Sequence, residues 1–168
     1  FADRAVARSR LDVPHEAVLQ VLAQMFREAS DDVVGLDPGT RSGTTLTMGL
    51  VVGRTLYVAH AGDSRMYRVR GGEVEQLTVD HTLAQEMLAQ GLISEEDLET
   101  FPHRNVLARA VGQLPTVRVD TAWLEITGDE TLLICSDGMH GYFKPEEIPA
   151  ALRGGADGLV DESNRRGG

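Results

Sequence analysis

Two short acidic turns, Gly62-Asp63-Ser64-Arg65 and Cys135-Ser136-Asp137-Gly138, are the places in this chain where chemistry is expected. Each sets a carboxylate at the end of an apolar run, 56–61 before the first and 132–135 before the second. Aspartate is depleted in strands because its charge is costly to bury unless it is paired or bound to a metal. If folding brings Asp63 and Asp137 to one edge of a sheet core, they form an oxygen site suited to a hard divalent cation. Gly-Asp and Asp-Gly are also ordinary turn formers, with Asp capping its own backbone and Gly taking positive φ. From the turns alone both readings stand.

Other reactive side chains cluster around these turns. Asp80 and His81 are adjacent, as in a proton shuttle, but neighbours on a loop point in different directions and Asp80 is placed to cap the helix that follows. Fold support is the expected role of both. Arg65 is expected in a salt bridge that packs the strands, and Thr44 and Thr45 in structural roles at a strand entrance. His60 and His140 flank the acidic turns, but hard cations prefer oxygen, so neither is taken as a ligand. Cys135 ends an apolar run and is expected as a buried structural thiol, with Met139, Trp123 and Phe143 as core or flanking packing.

The elements that must position these groups follow from periodicity. Asp12 and Pro14 mark a helix start, and Val18, Val21, Leu22, Met25, Phe26 and Ala29 recur at helical spacing, which predicts a helix over 14–30. A loop follows over 36–42. Thr- and Val-rich segments at 44–52, 55–61, 65–70 and 73–77, joined by tight Gly turns, predict four antiparallel strands in a meander. A helical stripe over 78–91, a short helix over 103–111, strands over 117–126 and 131–136, and helices over 145–152 and 157–163 complete the pattern. Strands and helices in blocks make this an α+β chain rather than a doubly wound one.

The totals narrow the function classes. The chain has 168 residues, enough for one domain with a proper core. Its net charge of −10 argues against a phosphate-backbone binder, so no nucleic acid partner is expected. The single cysteine excludes an intrachain disulfide framework and fits a reducing, cytoplasmic setting. No apolar run approaches the length of a membrane span, so no membrane insertion is expected in this segment.

Four motifs stand in order: Ser42-Gly43-Thr44-Thr45-Leu46, Gly62-Asp63-Ser64-Arg65, Leu77-Thr78-Val79-Asp80-His81-Thr82 and Cys135-Ser136-Asp137-Gly138. With the hairpin over 67–77, Gly91-Leu92-Ile93-Ser94-Glu95-Glu96 and Pro102-His103-Arg104-Asn105-Val106-Leu107, they span 41–152. In order and spacing the chain resembles the bacterial branch of the PP2C-type (PPM) metal-dependent protein serine/threonine phosphatases. The resemblance implies an α-β-β-α sandwich of two antiparallel sheets flanked by helices. It also implies two core divalent cations, Mn²⁺ or Mg²⁺, with a third in some members, and a metal-activated water that attacks the phosphorus of phosphoserine or phosphothreonine. Asp137 matches a ligand of the core pair, and Asp63 matches the aspartate associated with the third, weaker ion. The implied partners are phosphorylated proteins, among them a bacterial serine/threonine kinase or its substrates, or an anti-sigma-factor antagonist.

Several family features are missing from the chain: an N-terminal Arg for the substrate phosphate, an acidic residue after an Asn on the first strand, an Asp-Gly-x-Gly-Gly turn and a closing Asp-Asn. All belong beyond the retained motifs. The expectation is therefore a single partial phosphatase domain over 1–168, truncated at both ends, with a helical insert at about 82–111, inactive by itself. The alternative is a catalytically silent phosphatase-like module that binds a phosphoprotein or kinase partner.

Overall fold

The computed structural model describes residues 13–36, 42–98, 100–114 and 116–168. Asp12, expected to open the first helix, and most of the expected loop after it lie outside the described residues. Helix α1 runs His15–Leu36, and Pro14 offers its carbonyl to Ala17 N–H at 3.0 Å. It buries Leu22, Phe26 and Ser30, residues four apart that line one helical face. Val21 and Met25, expected on that face, are instead exposed, because the true stripe is narrower than the apolar composition implied.

Strands β1 (Leu46–Val52), β2 (Thr55–Ala61), β3 (Arg65–Arg70) and β4 (Glu73–Gln76) form where the sequence predicts them. Their pairing differs from a single meander. Strands β5 (Asp120–Glu125) and β6 (Thr131–Cys135) complete two three-stranded antiparallel sheets, ordered β1-β2-β5 and β4-β3-β6. The chain leaves one sheet for the other at Gly62-Asp63-Ser64. Gly62 adopts φ +120°, and a Cβ there would lie 2.5 Å from the Thr45 side chain, so the crossing needs glycine. The expected block of four strands is thus two hairpins in different layers.

Alternation along the strands builds the layers. Leu56 and Val58 of β2 and Met66 of β3 point between the sheets and pack with Leu77, Leu124, Ile126 and Leu132. Tyr57, Ala59 and Ala61 face the other way, onto α1 through Leu22 and Phe26. Tyr67 and Val69 face a second helical layer through Met139, Phe143, Ile148 and Leu159. The order is helix, sheet, sheet, helix, an α-β-β-α sandwich.

Helix α2 is shorter than its periodicity predicts, Leu83–Ala89, and its cap is Thr82, whose side chain accepts from Gln85 N–H at 3.3 Å. Asp80, expected as that cap, is engaged elsewhere. The helix expected over 103–111 does not form. Turns take its place, and isolated bridges pair Thr82 with Leu107 and Thr44 with Val111, so backbone groups that a helix would satisfy internally are satisfied across the fold. After β6 come the single turn α3 (Asp137–His140), a 3-10 turn Pro145–Glu147, α4 (Ile148–Ala151), a second 3-10 turn Leu152–Gly154 and α5 (Gly155–Arg166). Pro149 lies in the middle of the segment expected as one helix, and the helical path there is broken into three pieces. Among the described residues no helix is long and apolar enough to cross a membrane.

Candidate metal and phosphate site

Strand register brings the two acidic turns together. In the antiparallel pair β3–β6, Arg65 lies opposite Cys135. Stepping two residues back from Arg65 reaches Asp63, and two residues forward from Cys135 reaches Asp137, at the same end of the sheet. Both line one cavity of about 880 Å³, together with Arg65, Asp80, Arg104 and His140.

The electrostatics of this cavity are uneven. Partial burial, and then the negative charges of Asp137 and Asp80, push the Asp63 carboxyl above its ordinary value. Among the described residues neither Asp63 nor Asp137 has a cationic partner, while Asp137 Oδ1 accepts from the Gly138 N–H at 2.9 Å. Asp80 is different. Arg65 grips it with Nε at 2.9 and 3.1 Å and a terminal nitrogen at 2.7 Å. Burial works against the charge of Arg65, but the hydrogen bond to Asp80 outweighs it and raises the guanidinium pKa. Arg65 is thus the strand-packing ion pair that its position implied.

The turns are also braced from below. Thr45 Oγ1 lies 2.8 Å from Ser64 Oγ, and Thr47 Oγ1 donates to the Ser64 carbonyl at 3.1 Å. Thr44 is bonded through its backbone to Val111 in both directions at 2.9 Å. His140 lines the cavity, its Nε2 3.0 Å from the Asp63 carbonyl oxygen, and burial and then Arg65 push its pKa down. His60 is buried between the sheets and outside the cavity lining. Burial, then its neighbour His81, lowers it to about 4. Burial drives the Cys135 thiol up to about 11, which suits a packing group and not a nucleophile. Met139 and Phe143 are core residues, whereas Trp123 is 44% exposed and stacks on His15 at 3.9 Å.

Residues 2–87, just over half of the chain, match the family profile of Protein phosphatase 2C. The chain belongs to the PP2C family. It is 33% identical over 150 residues to the serine/threonine phosphatase stp of Listeria monocytogenes, a match covering 86% of this chain and 57% of that protein. Protein phosphatase PhpP of Streptococcus pneumoniae is 34% identical over 116 residues, 68% of this chain and 47% of PhpP. The chain therefore spans about half the length of these relatives. Among solved structures, the Mycobacterium tuberculosis serine/threonine phosphatase PstP/Ppp superposes with a TM-score of 0.82 at 31% identity, covering 93% of this chain and 70% of that one. The catalytic domain of a PstP phosphatase, solved with two manganese ions, superposes with a TM-score of 0.70 at 29% identity, covering 92% and 65%.

Among the described residues no group of three or more carboxylate, imidazole or thiol side chains converges as a metal site. Asp63 and Asp137 are an oxygen pair and no more. The cavity also collects residues to which the sequence motifs assigned no site role: Arg104, Asn105 and Tyr142 line it. Only a turn that folds back over the site could reveal Arg104 and Asn105, and the apparent helical pattern of 103–111 concealed it.

Proposed function

We propose that this chain is part of a metal-dependent phosphatase that hydrolyses phosphoserine or phosphothreonine in proteins, with Asp63 and Asp137 contributing ligands for Mn²⁺ or Mg²⁺. One observation carries it: two carboxylates, one from the sheet crossing and one from the start of α3, without cationic partners among the described residues, line one cavity beside a guanidinium that already has its own carboxylate. Donor chemistry fits. Hard divalent cations take carboxylate oxygens and retain waters, and a cation would relieve the repulsion that raises Asp63. When bound, such a cation supplies an acidified water and neutralises phosphoryl charge.

The chain's own residues hold and orient. Asp137 presents its carboxylate from the first residue of α3, one oxygen steadied by the Gly138 N–H. Asp63 enters from the sheet crossing. Arg104 and Asn105 bring donors suited to phosphate oxygens to the same cavity. Arg65 is held by Asp80 and serves the frame. The setting proposed is cytoplasmic, and the partners are phosphorylated proteins, including a bacterial serine/threonine kinase or its substrates. The domain proposed is a single partial one, its insert over about 82–111 bordering the cavity through Arg104 and Asn105.

A second reading, a silent phosphoprotein-binding module, is favoured by the lack of a third converging ligand among the described residues. Phosphopeptide hydrolysis across a Mn²⁺ titration, with EDTA as control, separates the two. Metal-dependent release of phosphate by the complete domain supports the phosphatase. Tight phosphopeptide binding with no release despite bound metal supports the module.

A further inference from the structure

Directly behind the Asp63 turn lies a row of polar side chains that the proposed chemistry does not use. His81 is 3% exposed and grips Gly62 at both ends of the residue. Its backbone N–H donates to the Gly62 carbonyl at 2.7 Å, and the Gly62 N–H donates to His81 Nδ1 at 3.1 Å. A backbone N–H can only donate, so Nδ1 carries the lone pair and the ring proton sits on Nε2. That proton faces Asp120 Oδ2 at 3.1 Å. Arg109 Nη1 also lies 3.3 Å from Nε2, but a guanidinium cannot donate to a protonated ring nitrogen, and it donates instead to the other oxygen of Asp120, Oδ1, at 3.0 Å.

The charges agree with a neutral ring. Burial lowers the His81 pKa, against the pull of Asp120. Partial burial works to raise Asp120, but the His81 hydrogen bond and the Arg109 and Arg118 charges hold it below its ordinary value. His60 closes the other side, ring centroids 4.7 Å apart, with its own nitrogens near Thr47 Oγ1 and the Val79 carbonyl.

Gly62 is where this matters. At φ +120° and without a Cβ, its own backbone preference does little to fix the direction of the next residue. We propose that His81 is a positioning residue for Asp63: Asp120 fixes the Nε2–H tautomer, and that tautomer makes Nδ1 the acceptor that pins the Gly62 peptide and so directs Asp63 into the cavity. Its value to a bound cation rests on the metal reading above, whereas the clamp itself does not. A histidine that merely filled space would be indifferent to which nitrogen held the proton.

The test uses Asp120→Asn in the uniformly ¹⁵N-labelled chain, which reports the histidine ring nitrogens and the Gly62 and Asp63 amides together. Arg109 retains the amide oxygen, so the NH₂ group faces Nε2 and drives the ring proton to Nδ1, against the Gly62 N–H. Wild type is expected in the Nε2–H tautomer and Asp120→Asn in the Nδ1–H tautomer, with Gly62 amide exchange faster by about tenfold, the scale of one lost hydrogen bond. The Mn²⁺ concentration that half-broadens the Asp63 resonances should rise about tenfold, the usual cost of disturbing groups behind a ligand. His81→Asn, whose Oδ1 replaces Nδ1 as acceptor, should keep Gly62 protected, and His81→Phe should expose it. An unchanged tautomer in Asp120→Asn, a switched tautomer with unchanged Gly62 exchange, or full protection in His81→Phe overturns the proposal. Absence of any Mn²⁺ effect at Asp63 in wild type, with the tautomer and exchange changes as expected, sinks the metal reading and leaves the clamp standing.

Discussion

The imidazole Nε2 of His140 lies 3.0 Å from the carbonyl oxygen of Asp63, a hydrogen bond that joins residues 77 apart and ties one acidic turn to the other. The carbonyl accepts, so Nε2 carries the proton and donates. Neighbouring strand ends bring the turns close, and this bond links them directly. His140→Ala should therefore lower stability in urea by about 1 kcal/mol, the net worth of one partly buried hydrogen bond. His140→Gln, whose amide nitrogen can take the place of Nε2, should recover most of that loss. Equal losses for both variants would show that the bond contributes nothing.

The two carboxylates should differ in weight. In the complete domain, Asp137→Asn is expected to lower kcat for a phosphothreonine peptide by about a hundredfold and Asp63→Asn by about tenfold, since the first is proposed to serve the core ions and the second a weaker one. Steady-state rates across a Mn²⁺ titration decide the order. A larger loss for Asp63→Asn would reverse the assignment.

Arg65 and Asp80 form a bidentate pair whose side chains are 27% and 13% exposed. Removing one partner strands a poorly hydrated charge, so Asp80→Ala should cost about 2 kcal/mol, less than a fully buried pair because Arg65 keeps some solvent. A double-mutant cycle with Arg65→Ala should return a coupling of similar size, read from urea midpoints. Additive losses would argue that the two side chains act separately.

Acid should weaken the fold through His60. Its pKa falls from 6.5 to about 4 in the folded chain, chiefly by burial. The unfolded chain binds the proton more readily, so the stability tied to this group is complete above about pH 6.5 and is lost as the pH drops toward about 4. The full shift corresponds to about 3 kcal/mol. Urea unfolding at about pH 7.5 and about pH 4.5 should show wild type losing roughly that much more than His60→Gln. Parallel pH dependence of the two would rule out His60 as the source.

The strands were readable before any coordinates because their information is local. Alternation of apolar side chains and Gly-bearing turns marks β1 to β4 nearly to the residue. The acidic turns stand out for the same reason, as an Asp at the end of an apolar run is a local anomaly. Helices were less legible. The 103–111 segment has helical spacing, but its backbone bonds to His81, Leu83 and Thr44, partners that no local window contains. Val21 and Met25 show the same limit, for an apolar residue does not announce which face meets the sheet.

The division of β1 to β4 between two sheets could not be read from spacing, since a tight turn looks the same whether the next strand pairs with the last one or leaves it. Gly62 decides this only because Thr45 sits against it. Likewise, Asp63 and Asp137 are each conspicuous along the chain, but their meeting depends on the register of β3 against β6, which side-chain packing across the layers selects. The clamp of His81 on Gly62, with Asp120 behind it, lies wholly in tertiary space. Residue types and local turns are written in the order of amino acids, whereas the direction in which a carboxylate points is set by contacts between segments far apart in that order.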